Sequence, residues 1–244
     1  RILIAGGTGL LGRALARRLA TSGREIGLLS RAAARSARGL DLPPGCRVES
    51  WDGRTANGWL ELASGAEAIV NLAGESIAGG RWSAERKARI VGSRMGTTGA
   101  VIEAISRARQ PPRVLVQGSA VGYYGDRADE TLDESAGPGS GFLAETARDW
   151  EAASAGAEQF GVRRVLARTG VVLARDGGAF PKMALPFRCG AGAVLGSGKQ
   201  WMPWIHLADE VAALVFLLEN PAAQGAFNLT APEPITQAGF SRAL

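Results

Sequence analysis

The chain has little with which to build a disulfide framework or a metal centre. Its 244 residues include two cysteines, Cys46 and Cys189, and one histidine, His206. Two thiols so placed read as reduced, and without a Cys/His cluster no metal site is expected. Lysine is confined to Lys87, Lys182 and Lys199, so the net charge of +5 rests almost wholly on arginine. A basic balance can signal nucleic acid, but no basic stripe interleaved with aromatics occurs. Acidic small ligands carrying phosphates explain the surplus at least as well, and no nucleic-acid partner is expected. No run of about eighteen apolar residues exists, which excludes a helical membrane span. The chain opens inside its first expected strand, leaving no room for a signal peptide, and with so few cysteines this predicts a cytoplasmic protein. Tyrosine is nearly missing too, present as Tyr123 and Tyr124 alone.

What is abundant is glycine, 34 residues, and its placement at the start carries the reading. A short apolar strand over 2–5 runs into Gly6, Gly9 and Gly12. A segment with Leu11, Leu15 and Leu19 one helical turn apart follows, with Arg13, Arg17 and Arg18 between them. That is the strand, glycine turn and helix order of a dinucleotide-binding βαβ unit. Gly6 permits the tight turn, Gly9 lets main-chain N–H groups approach a pyrophosphate, and Gly12 lets the helix pack close on the strand. The pyrophosphate would lie at the positive end of the helix dipole. The alternative is a glycine-rich turn without a ligand.

Strands and helices then alternate. Strands are expected at 25–29, 48–51, 68–72, 114–117 and 164–167. Helices are expected from Ser83, a plausible N-cap, to about 108, and over about 143–157. This predicts an α/β fold of Rossmann type, a doubly wound parallel sheet with a small C-terminal substrate-covering region. Residues 1–170 read as the nucleotide-binding domain. Residues 171–244 read as the covering region and return elements of the same fold, with a glycine-rich stretch at 190–198, a helix over 208–218 and a strand over 226–229. The chain ends in what reads as the middle of a helix, so a truncated C-terminus is expected.

The end of the second strand should choose the cofactor. An acidic residue there would bind the ribose 2′-OH of NAD. The place holds Ser30 and Arg31 instead, with Arg35 and Arg38 close behind. A hydroxyl and a guanidinium suit a 2′-phosphate, which favours NADP(H) over NAD(H). The alternative is a solvated basic loop.

Five motifs occur in order: Gly6-Gly-Thr-Gly-Leu-Leu-Gly12, Asn71-Leu-Ala-Gly74, Gly118-Ser-Ala-Val-Gly-Tyr-Tyr-Gly125, Arg168-Thr-Gly-Val-Val-Leu173 and Trp204-Ile-His-Leu-Ala-Asp209. Together they resemble the extended short-chain dehydrogenase/reductases of the NAD-dependent epimerase/dehydratase superfamily. More narrowly, the set is similar to an atypical branch labelled epimerase-family or TIGR-type oxidoreductases, in older labels cell-division-inhibitor-like. The resemblance implies that Thr8, Gly9, Leu10 and Leu11 line the pyrophosphate and that Ser30 and Arg31 meet the 2′-phosphate. It places Asp52 near the adenine, Leu72, Ala73 and Gly74 along the adenosine and nicotinamide ribose, and Val172 near the nicotinamide. Arg94 would turn toward the cofactor where extended members place an asparagine. Read from the residues alone, Leu72 and Ala73 are equally ordinary strand-end packing, and Arg94 a surface residue on a long helix.

The chain departs from these relatives in its catalytic machinery. Standard members use a Ser and a Tyr-x-x-x-Lys, the lysine helping the tyrosine exchange a proton as hydride moves. Neither Tyr123 nor Tyr124 is followed by a lysine four residues on, and with the helix containing Trp150-Glu151 aligned on its relatives, the resemblance puts Leu143 and Ala147 in the places of that pair. The remaining candidates are Ser119, Tyr123, Tyr124 and Lys182, with Glu75 as a general base or ribose contact. Against each stands a bland reading: paired tyrosines pack a loop, and Lys182 is solvated. His206 reads as structural. Trp201 and Trp204 would wall the nicotinamide, while the other tryptophans pack the core or a lid.

Three functions follow in order of support. The first is an NADP(H)-dependent oxidoreductase or epimerase-like enzyme for a small polar carbonyl or alcohol, sugar-derived in one version, working as a homodimer. The second is a cofactor-binding sensor without turnover. The third, a nucleic-acid module, has only the charge behind it.

Overall fold

The computed structural model describes residues 1–31 and 41–244. Arg35 and Arg38, named above for the 2′-phosphate, lie outside the described residues.

The opening alternation folds as its pattern dictates. β1 (Ile2–Ala5) is buried throughout and leads into α1 (Leu10–Ala20), which buries Gly12, Leu15, Ala16 and Leu19. β2 (Ile26–Ser30) and β3 (Cys46–Ser50) follow, then the short α2 (Leu60–Ala63) and β4 (Ala68–Asn71). The longest helix, α3 (Ala84–Arg107), starts where expected: the Ser83 side chain accepts a hydrogen bond from the Arg86 N–H. β5 (Val114–Ala120) runs into a 3-10 turn (Val121–Tyr124), and α4 (Phe142–Ala153) precedes β6 (Arg163–Thr169). The helix expected over 143–157 ends early, because its last turns tighten into a 3-10 stretch (Ala155–Phe160).

Beyond β6 the strands are short, none longer than five residues. The elements there are β7 (Val171–Ala174), β8 (Gly177–Gly178), α5 (Phe180–Arg188), β9 (Trp201–Met202), β10 (Trp204–His206), α6 (Leu207–Glu219), β11 (Gly225–Leu229), β12 (Ile235–Thr236) and α7 (Gln237–Ala243). The reading from sequence contained neither α5 nor the two- to four-residue strands. His206 begins α6, its Nδ1 accepting from the Ala208 N–H at 3.2 Å.

Seven strands form one parallel sheet in the order β3-β2-β1-β4-β5-β6-β11. The side-chain alternation of β1 divides the core. Ile2 and Ile4 face a layer with Leu15 and Leu19 of α1 and Leu214 and Leu218 of α6. Leu3 and Ala5 face the opposite layer with Val101 and Ile105 of α3 and with Trp51 and Trp59. The strand order reverses direction between β1 and β4, and in doubly wound sheets ligands bind in the crevice beyond the carboxyl ends of the strands at that point. Two small sheets, β10-β7-β8 and β12-β9, supplement the main one. Among the described residues no helix is long and apolar enough to cross a membrane. Cys46 and Cys189 are free thiols.

Candidate functional site

At the carboxyl end of β1 the backbone turns at Gly6, whose φ of +75° is a left-handed conformation that suits glycine. Gly12, one turn into α1, lies against that loop so closely that a Cβ there would stand 2.5 Å from the Gly7 Cα and 2.6 Å from the Gly6 carbonyl oxygen. A Cβ on Gly9 would meet the Gly6 carbonyl oxygen at 3.2 Å. The α1 N-terminus has no side-chain cap and no acidic residue in its first turn. Its first N–H groups, among them those of Leu10 and Leu11, have no intrahelical acceptor. The Thr8 and Ser30 hydroxyls meet at 3.2 Å, tying the glycine loop to the end of β2. Arg31 is exposed, its stem packed over Gly53, and its guanidinium forms no ion pair with a described residue. Asp52 is engaged locally: its carboxylate accepts from the N–H groups of Thr55 and Arg54 and from the Thr55 hydroxyl. Those bonds hold its carboxyl below the usual range, the Thr55 N–H contributing most.

Beyond β4, Asn71 is fully buried and fixes the strand end. It donates to Thr98 and Gln117 at 3.2 and 3.0 Å and accepts from the Ala73 N–H. Leu72 packs partly against the core and Ala73 is buried, whereas Gly74 is exposed. Arg94 of α3 lies against Gly74, donates to the carbonyls of Glu75 and Ile90 at 3.1 Å each, and lies 4.9 Å over the Trp150 ring. Burial depresses this guanidinium below the usual arginine range, with the Glu75 charge acting against it. The Glu75 carboxylate itself pairs with Arg89 at 3.3 Å.

A cavity of about 670 Å³ opens between the loop after β4, through Ser76 and Ala78, and the segment from Arg175 to Lys182. Gly177 and Gly178 of that segment lie against Leu10 at the start of α1, so β8 covers the helix N-terminus. Lys182 lines this cavity from α5 and reaches the Ala78 carbonyl at 3.5 Å. Val172 pairs with Ile205 in the small sheet.

The end of β5 carries a hydrogen-bonded network that the reading from sequence did not contain. Ser119 donates to Glu151 of α4 at 2.6 Å. The same carboxylate takes both arms of Arg168, its β6 register partner's side chain, at 2.9 and 3.0 Å, and both partners of this ion pair are buried. Arg168 also donates to the Tyr124 hydroxyl at 2.9 Å, and that hydroxyl donates to Asn228 of β11 at 2.7 Å. Burial alone would lower the Arg168 guanidinium, but its bonds to Glu151 and Tyr124 outweigh that and hold it above the usual range. Its plane lies 3.7 Å from the centre of the Tyr123 ring. Glu151 and Arg168 were missed because charged residues on a helix and at a strand end look solvated in sequence. The signal available was the run of small and apolar neighbours around each.

Ser119, Tyr123 and Tyr124 are therefore one cluster with Glu151 and Arg168, while Lys182 stands apart, lining the cavity from α5. Trp201 is half exposed and bonds Asp129 at 2.8 Å, and the Trp204 indole bonds the Glu233 carbonyl at 3.2 Å. Trp51, Trp59 and Trp150 are buried, and Trp82 rests edge-on against Phe142.

The profile of the NAD dependent epimerase/dehydratase family matches residues 2–230. An epimerase family protein of Mycobacterium tuberculosis is 39% identical over 242 residues, covering 99% of this chain and 77% of that protein. The crystal structure of human epimerase family protein SDR39U1 with NADPH superposes with a TM-score of 0.81 at 36% identity, covering 99% of this chain and 78% of that one. A nucleoside-diphosphate sugar epimerase from Corynebacterium glutamicum gives a TM-score of 0.80 at 33% identity, over 99% of this chain and 48% of that one.

Proposed function

Because the chain belongs to the NAD dependent epimerase/dehydratase family, we propose that it binds NADP(H) and acts as an oxidoreductase or epimerase on a small polar, sugar-derived carbonyl or alcohol. The observation that carries this reading is the bare loop at the start of α1, where a side chain on Gly12 would collide with main chain and one on Gly9 would press on the Gly6 carbonyl. The residues fit the cofactor. Gly6, Thr8, Gly9, Leu10, Leu11 and Gly12 would cradle the pyrophosphate with main-chain N–H groups at an uncapped helix end. Ser30 and Arg31 would meet the 2′-phosphate, and the Arg31 guanidinium, which forms no ion pair with a described residue, supports NADP(H) over NAD(H). Asp52, Leu72, Ala73, Gly74, Glu75, Arg94 and Val172 complete the proposed contacts, and a similar protein was crystallised with NADPH.

When bound, the cofactor supplies or takes up hydride. The chain's own part is to hold the substrate in the cavity lined by Ser76, Arg175 and Lys182 and to move a proton, for which Ser119, Tyr123, Tyr124 and Lys182 are the candidate groups. In this reading residues 1–170 bind the cofactor and 171–244 cover the substrate. A cytoplasmic homodimer with no nucleic-acid or membrane partner completes it.

Tryptophan fluorescence titrated with NADPH and NADH tests the binding, with NADPH expected to bind more tightly. Oxidation of NADPH followed against carbonyl compounds and sugar nucleotides tests the turnover. The absent Tyr-x-x-x-Lys, with Leu143 and Ala147 in its place, favours a second reading, a sensor that binds NADP(H) without turning over. Tight binding with no turnover across a broad panel would select it.

A further inference from the structure

Four side chains were named above as candidates for moving a proton, and their hydrogen bonds sort them. Ser119 has one proton, and it points to Glu151 at 2.6 Å, a short contact to an acceptor fixed by two bonds from Arg168. What Ser119 leaves for a ligand is an acceptor lone pair, so it is poorly placed to polarise a carbonyl by donation. Tyr124 likewise has one proton, committed to Asn228 at 2.7 Å, while its oxygen accepts from Arg168, and the residue is 4% exposed. Lys182 is on the far wall, against Ala78.

Tyr123 differs from these three. Its hydroxyl makes no hydrogen bond with any described residue, and the residue is half-buried rather than sealed. The ring is nonetheless fixed: the Arg168 guanidinium carbon stands 3.7 Å from its centre, Tyr124 meets it edge-on at 5.4 Å, and its carbonyl accepts from the Gly139 N–H. The strand order places it as well. β5 neighbours β4 in the sheet, and the turn Val121–Tyr124 leaves the carboxyl end of β5, so it starts next to the strand whose following loop lines the cavity.

We propose, resting on the cofactor-enzyme reading above, that Tyr123 is the catalytic residue of proton transfer here, and that Ser119 contributes only an acceptor for a substrate hydroxyl or amine. In the reducing direction the hydride and its electron pair come from NADPH to the carbonyl carbon and the carbonyl π bond opens. The Tyr123 O–H bond breaks as the substrate O–H bond forms, and solvent returns a proton to the phenolate. Arg168 holds positive charge against the ring on which negative charge develops.

The scarcity of tyrosine makes the test direct, since Tyr123 and Tyr124 are the only two. Nitration of the folded protein with tetranitromethane, read by peptide mapping, is expected to modify Tyr123 and spare Tyr124, and NADPH is expected to slow it several-fold. In turnover assays Tyr123→Phe should lose on the order of 100-fold or more with NADPH affinity unchanged. Nitration of Tyr123 indifferent to bound NADPH, Tyr124 reacting as fast as Tyr123, or full turnover by Tyr123→Phe would each overturn the assignment while leaving cofactor binding intact. No NADPH binding by the wild type in the same titration would bring down both this assignment and the reading it rests on.

Discussion

Glu210 is fully buried in the first turn of α6, where it accepts from the Thr169 hydroxyl at 2.8 Å, and its second carboxylate oxygen has no partner among the described residues. Burial pushes this carboxyl up to about 7 from an ordinary 4.5, against the smaller effect of the Thr169 bond. The folded state thus holds the proton more tightly than the unfolded chain. Its contribution is fully present below about pH 4.5 and lost as pH rises through 7, a fall on the order of 3 kcal/mol by linkage. Denaturant unfolding of wild type and Glu210→Gln across that window should show the difference growing in favour of the variant as pH rises. A constant difference would mean the carboxyl is not neutral in the fold. Arg31→Glu should weaken NADPH far more than NADH, because only NADPH carries the 2′-phosphate that a guanidinium recognises. Equal losses in fluorescence titration would show that Arg31 does not read the phosphate.

At the scale of elements, what was legible in the sequence tracks how local its determinants are. β1 and α1 were readable because an apolar run, a glycine spacing and a helical leucine period are all set within twenty residues. α3 was readable from its Ser83 cap and its length. After β6, β11 was readable over 226–229 but the shorter strands were not, since β8, β9 and β12 are two residues long and exist through pairing with other strands rather than through a pattern of their own. The same distinction divides the site. The glycine loop is contiguous, whereas the Glu151–Arg168 pair joins a helix to a strand 17 residues on, and its partners Tyr124 and Asn228 are 104 residues apart. That pair gives its own prediction. With both side chains under a tenth exposed, Glu151→Ala leaves a buried guanidinium without its counter-charge and should cost about 3–5 kcal/mol in chemical denaturation. A loss below about 1 kcal/mol, the range of exposed pairs, would mean water reaches Arg168.

The whole molecule is assembled so that the cavity belongs to neither half of the chain alone. The loop after β4 forms one side; β8 and α5, which come after the β6 strand, form the other, and β8 packs on Leu10 at the start of α1. β11 then returns to the main sheet beside β6, and Asn228 on it accepts from Tyr124, so the later residues are tied to the sheet on both sides of the cover. A ligand spanning the carboxyl edge from β2 to the cavity should therefore slow exchange in two regions distant in sequence but joined in space. Hydrogen exchange read by mass spectrometry with saturating NADPH is expected to show protection at 6–12 and 72–75 and, in the same experiment, at 172–182, because β8 and α5 lose their own freedom to open when the crevice is filled. Protection confined to 6–12 and 72–75 would separate the cover from the cofactor, and the segment after β6 would then have to act on substrate alone.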